Sequence, residues 1–283
     1  SRFDRATGTL RHYAEDARSG APPPGAVDLL AHDGAGGLWL SAYGGGVQHR
    51  DGAGRIDIDV RPGDGRGLGS ADTEQLARAP DGTLWLAGAQ GLLRWNPAAA
   101  RFEQPPGAPR QRVHAIAFDA GATLWTQSIG LLQKFALEAD GLREVHRAGL
   151  DDGLPAIAAG GLGVDARGEV WITTARGLLR YRPTTRSLRS YGVRDGLPSP
   201  EFSDRPLLRM RSGHIAADTA AGMVLFDPLG LEAVGSAPQL VLEQVRVRRG
   251  GALRRLAGTS LQLAYDDRDL EIRTRLLSFA DPA

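Results

Sequence analysis

Hydrophobic residues recur along this chain in short alternating runs, broken every few positions by glycine, Asp-Gly or X-Pro pairs. Such runs are too short for helices and are punctuated by the residues that end helices, so they read as strands. One phrase returns with a tryptophan at its centre. It stands as Asp33-Gly-Ala-Gly-Gly-Leu-Trp39, Asp81-Gly-Thr-Leu-Trp85, Asp119-Ala-Gly-Ala-Thr-Leu-Trp125 and Asp165-Ala-Arg-Gly-Glu-Val-Trp171. A fifth copy, Arg211-Ser-Gly-His-Ile-Ala216, has alanine in the tryptophan column; the intervals are 46, 40, 46 and 45 residues. A second glycine follows the column at Gly45, Gly91, Gly130, Gly177 and Gly222, and most of these open another apolar run.

Each period thus holds about four short strands joined by tight turns. In the fourth copy they are expected at 157–164, 170–173, 177–181 and 188–191. Four antiparallel strands per period of this length specify an all-β fold, a β-propeller of four-stranded blades. A β-helix has a shorter coil, a leucine-rich repeat lacks the tryptophan column, and an immunoglobulin-like array needs a longer unit. Arg2-Phe3-Asp4 and 9–13 match the third and fourth strands of a blade, so about five and a half blades are expected, the first truncated. The chain therefore reads as a fragment of a longer protein. Propeller blades are expected over 1–236. A second all-β module, a partial β-sandwich, is expected over 237–283, with strands at 240–247, 260–265 and 269–276 and a turn at 248–253.

Composition changes this picture little. Of 283 residues, 38 are glycine, which would suit disorder if the repeat did not fix so many at turn columns. The absence of cysteine excludes disulfides, thiolate metal sites and cysteine nucleophiles. A net charge of +1 argues against nucleic acid as a partner. The basic residues are almost all arginine, and Lys134 is the only lysine. No apolar run is long enough to span a membrane, and the opening Ser1-Arg-Phe-Asp-Arg5 does not read as a secretory signal.

Asp165-Ala-Arg-Gly-Glu-Val-Trp-Ile-Thr-Thr-Ala-Arg-Gly-Leu-Leu-Arg-Tyr181 resembles the two-component regulator propeller repeat. Asp151-Asp-Gly-Leu-Pro155 and Arg194-Asp-Gly-Leu-Pro198 are similar to that family's inter-blade phrase, and 191–228, with Glu201-Phe202, to its last repeat. The tail, from Leu261-Gln-Leu-Ala-Tyr265 to Leu277-Ser-Phe-Ala-Asp-Pro-Ala283, resembles the opening of a Tyr-Tyr-Tyr domain. The resemblance implies the periplasmic sensor of a membrane-bound signalling protein. In such proteins two seven-bladed propellers and a Tyr-Tyr-Tyr domain lead to a membrane helix and a histidine kinase or diguanylate cyclase. It also implies a small-molecule or oligosaccharide ligand and contact with the membrane only through a downstream segment. Five and a half blades and a short second module depart from that plan.

Catalytic chemistry is poorly represented. The six histidines show no His-x-x-x-His spacing, no Gly-x-Ser-x-Gly elbow occurs, and the glycine runs lie in hairpins, not between a strand and a helix. No cofactor and no metal are expected. The Asp151-Asp152 pair reads as a solvated turn before Gly-Leu-Pro in preference to a calcium or acid/base site. The tryptophans read as inter-blade packing in preference to sugar platforms. A ligand is expected at a mouth of the central channel, where variable loops meet. The candidates there are Tyr43, which can stack on a sugar, and Arg112 and Arg176, which can pair with an anion. His114, Gln127 and Glu201 complete the set. The primary expectation is a non-catalytic ligand sensor; the alternatives are a propeller-fold glycan lyase and a protein-binding scaffold. Open blade edges also predict a homodimer.

Overall fold

The computed structural model describes residues 2–12, 25–231, 239–256 and 262–277. Tyr13, Leu261 and 278–283, which carry part of the resemblance and of the expected strands, lie outside them. The chain divides into two compact units, Ser1–Gly230 and Leu231–Ala283, a boundary slightly earlier than the one expected at 236.

The first unit is a propeller of antiparallel blades. A two-stranded piece, β1 (Arg2–Asp4) with β2 (Thr9–Arg11), precedes them. Blade one is β3 (Val27–His32), β4 (Leu38–Ala42), β5 (Gly46–Arg50) and β6 (Ile56–Val60). Blade two is β7 (Thr73–Arg78), β8 (Leu84–Gly88), β9 (Gly91–Asn96) and β10 (Arg101–Glu103). Blade three is β11 (Ala115–Phe118), β12 (Leu124–Ser128), β13 (Leu131–Leu137) and β14 (Leu142–Ala148). Blade four is β15 (Gly161–Val164), β16 (Val170–Thr174), β17 (Gly177–Arg182) and β18 (Ser187–Tyr191). The fifth has three strands: β19 (Leu208–Arg209), β20 (Ile215–Thr219) and β21 (Gly222–Phe226). Within each of these sheets, neighbours in space are neighbours in sequence.

Each of the four tryptophans of the repeat column is buried between its own blade and the next. Trp39 joins Leu76 and Trp95, Trp85 joins Val113 and Phe135, and Trp125 joins Leu162 and Tyr181 in continuous apolar clusters. Trp171 lies 5.1 Å from Phe226 of blade five. The residue opposite on the third strand is His49, Arg94, Lys134 or Arg180. The last three place their charge 5.9, 5.3 and 5.6 Å from the tryptophan ring, and the His49 ring lies 4.6 Å from that of Trp39. A cation over an indole contributes about 0.5–2 kcal/mol, more as water is excluded. The repeat aspartate completes the set. Asp165 accepts from the N–H of Arg167 and Glu169 and from Trp171 Nε1, while Asp119 caps its turn and meets Lys134 at 2.9 Å. In blade five the same row is Ala216 opposite Leu225.

Two details differ from the expected elements. The first of the expected fourth-copy strands begins at Gly161, not 157, because the segment after Pro155 bonds to a side chain, the Gln127 amide, instead of to a strand. In blade one the glycine opening the third strand is Gly46, since Ala42 pairs with Gly46; the turn is one residue longer and carries Tyr43 outward. Gly91 shows why that column resists a side chain: its φ is +89° and a Cβ would fall 2.1 Å from the Pro109 carbonyl oxygen.

The second unit is a three-stranded antiparallel sheet in the order β23-β22-β24, from β22 (Gln239–Arg249), β23 (Ala252–Leu256) and β24 (Arg268–Leu277). The turn expected over six residues contracts to Gly250-Gly251, both with positive φ, which frees 252–256 to pair as a strand. The described part of the strand expected at 260–265 is instead irregular. Asp267 accepts from Ala264 N–H and from Arg249 and folds it into a turn.

Candidate functional site

Antiparallel pairing puts the start of each first strand beside the turn joining its second and third: Val27 with Ala42, Thr73 with Gly88, Ala115 with Gln127, Gly161 with Thr173. These loops therefore share one end of the propeller, its mouth. Hydrogen bonds stitch them blade to blade. Ser41 Oγ meets Thr73 Oγ1 at 2.8 Å, and the Gln75 amide brackets Ile116 through both its N–H and its C=O. Gln127 does the same to Ile157 and Ala159, and Phe202 N–H donates to Thr174. Arg205 of the loop entering blade five then donates to both the carbonyl and the carboxylate of Asp28 in β3, each at 3.1 Å. That contact joins the last blade to the first across 177 residues.

The mouth candidates separate on this frame. Arg112 and His114 come together, but around a carboxylate pair that sequence reasoning missed. Arg112 donates to Asp72 and, at 2.6 Å, to Glu74; His114 Nδ1 lies 3.5 Å from the same Glu74 oxygen. Hydrogen bonding from His114 and Arg112 outweighs burial and holds Glu74 below its ordinary 4.5. The Arg112 hydrogen bond does the same for Asp72, and the two carboxylates raise Arg112 further. Gln127 is buried with its amide engaged by the next blade. Tyr43, Arg176 and Glu201 are exposed, Tyr43 at 73%. The signal for the missed pair was positional: Asp72-Thr-Glu74, at the start of β7, occupies the column that Arg112-Val-His114 occupies just before β11, one blade earlier. Arg205 and Asp28 gave no local signal.

The Asp151-Asp152 pair forms a turn. Asp152 accepts from Gly149 N–H and pairs with Arg186 at 2.8 Å. Two cavities between blades each leave about 10 Å³, room for a single water. Among the described residues no cluster of potential metal ligands occurs, and no helix is long and apolar enough to cross a membrane.

No protein-family model matches the chain. An 84-residue stretch is 29% identical to "Histidine kinase P4" of Formosa agariphila, covering 30% of this chain and 6% of that protein. Among solved structures, the fold is similar to the extracellular domain of a putative hybrid two-component system from B. thetaiotaomicron. The TM-score is 0.62, at 17% identity, over 87% of this chain and 32% of that one. The extracellular domain of a second such system from B. thetaiotaomicron gives 0.57, at 17% identity, over 80% and 30%. The chain spans about a third of the length of these structures. The fold class, a β-propeller, is thereby shared with them.

Proposed function

We propose that this chain is the ligand-sensing part of an extracytoplasmic, periplasmic region of a membrane-bound bacterial signalling protein, with a histidine kinase or diguanylate cyclase as its output. On this reading it binds a small molecule or oligosaccharide and does not itself catalyse a reaction. The fold supports the location and role, since its structural neighbours are extracellular domains of two-component systems. The mouth supports binding over chemistry. Asp72, Glu74 and Arg112 there are engaged with one another, and a group so held is a poor proton donor or acceptor. The same pairing cancels the charge of Arg112 and favours a neutral, hydroxyl-rich ligand, with Tyr43 as the stacking surface. The ligand would bias two arrangements of the propeller and the module behind it.

Thermal shift against a panel of soluble glycans tests this. A neutral oligosaccharide is expected to raise the melting temperature of the native chain, and Tyr43→Ala to abolish the rise without lowering the ligand-free value. Product release from any glycan, lost in His114→Ala, would overturn the non-catalytic reading in favour of a lyase.

A further inference from the structure

Outer strands of propeller blades are sheet edges, and edges exposed to water are normally protected by charge. Four blades of this chain obey that rule. β6 carries Asp57 and Asp59, β10 Arg101 and Glu103, β14 Arg143, Glu144 and Arg147, and β18 Arg189. The fifth blade ends instead on β21, Gly-Met-Val-Leu-Phe, which has no charge and no proline. It is the edge of its sheet among the described residues.

The faces of this blade are unlike. Ile215 and Ala217 are buried on the side that meets Trp171. On the other, Leu208, Ala216 and Leu225 form one row across the three strands, and Met223 lies beside it. Leu208, Leu225 and Met223 are 63%, 56% and 77% exposed. The backbone adds a second asymmetry. Thr219 and Gly222 flank a two-residue turn and so form a hydrogen-bonded pair, as do Ala217 with Val224 and Ile215 with Phe226. The N–H and C=O groups of Met223 and Leu225 therefore point away from β20, to the open edge. The two residues with unpaired backbone are also the two with exposed apolar side chains.

From this we propose that β21 is an interface between two copies of this chain, pairing antiparallel with itself about a two-fold axis at Val224. In that register Met223 faces Leu225 of the second copy, twice, and each pair exchanges two backbone hydrogen bonds. The Leu208–Ala216–Leu225 row runs on into the partner's Met223, closing the apolar stripe. No like charges meet, because the strand has none. Val224 faces its own copy at a non-hydrogen-bonded position, where opposed Cα atoms approach to about 4.5 Å. The proposal is independent of the ligand reading.

The chain has no cysteine, so a single introduced one reports the register without ambiguity. Val224→Cys in the full chain is expected to give a disulfide-linked dimer under mild oxidation, at that spacing. Thr185→Cys, on the turn before β18, is expected to give none. Sedimentation of the native chain is expected to show a dimer that dissociates on dilution. Leu225→Lys and, at the most exposed position, Met223→Lys should both leave a monomer with unchanged circular dichroism. A native chain monomeric at every concentration, or equal crosslinking at 224 and 185, would overturn the proposal. So would a monomer in which the Met223 and Leu225 amides resist exchange, because a strand of the same molecule would then occupy the edge.

Discussion

Blades one to four and blade five are built on one backbone pattern with different cargo. The first four carry a tryptophan, a cation or histidine opposite it, and an aspartate at the preceding turn. In the fifth the places of Asp165, Trp171 and Arg180 are taken by Met210, Ala216 and Leu225, and the strands still pair in the same register. Strand order in a blade therefore comes from turn spacing and alternation, which all five share. The tryptophan set does a different job: it fastens each blade to the next. Where blade four has Trp171 against Phe226, blade five presents an exposed face.

The largest test of that division is truncation. Trp171→Ala removes a fully buried indole and should cost about 3–5 kcal/mol in urea unfolding. Ala216→Trp, the same column on an uncovered face, should change stability by less than about 0.5 kcal/mol. Equal effects would mean that the column acts within a blade and not between blades.

The aspartate column gives a smaller contrast. Asp165→Ala strands three donors, one of them the indole N–H of Trp171, and should cost about 1–3 kcal/mol. Arg211→Ala, at the matching turn of blade five, is expected to fall within about 0.5 kcal/mol.

The smallest effect is in acid. Glu74 and Asp72 are held below their ordinary 4.5 and 3.8 in the folded chain. Their contribution is full above those values and is lost as pH falls through the lowered ones. The loop that enters blade five is held differently, by one arginine on one carboxylate, Arg205 on Asp28 of β3. Asp72→Asn with Glu74→Gln should therefore flatten the acid limb of the stability profile below about pH 4.5, read from urea unfolding at a series of pH values.

The tryptophan column was legible because its period, about 45 residues, is longer than any local structure and so belongs to the fold. Glycine turns and the 3-10 turn at Asp151-Asp152 were legible because their backbone needs are local. Side chains whose partner lies one blade away were not. Gln127 sits in a variable turn, as a binding residue would, yet both ends of its amide hold the next blade. Arg112 was visible as a cation, but its two carboxylates are about 40 residues upstream, and only their shared place in the repeat announces the pairing. The Gly45 and Gly46 columns were confused because one extra turn residue shifts a register that only pairing reveals.

The single lysine also makes the molecule its own clock. Lys134 stands over Trp125 and against Asp119, with only about a quarter of its side chain accessible. An amine-selective acylating reagent therefore has one side-chain target in the chain, at the seam between blades three and four. The rate at which mass spectrometry sees that target react counts how often the seam parts, without isotopes or an added probe.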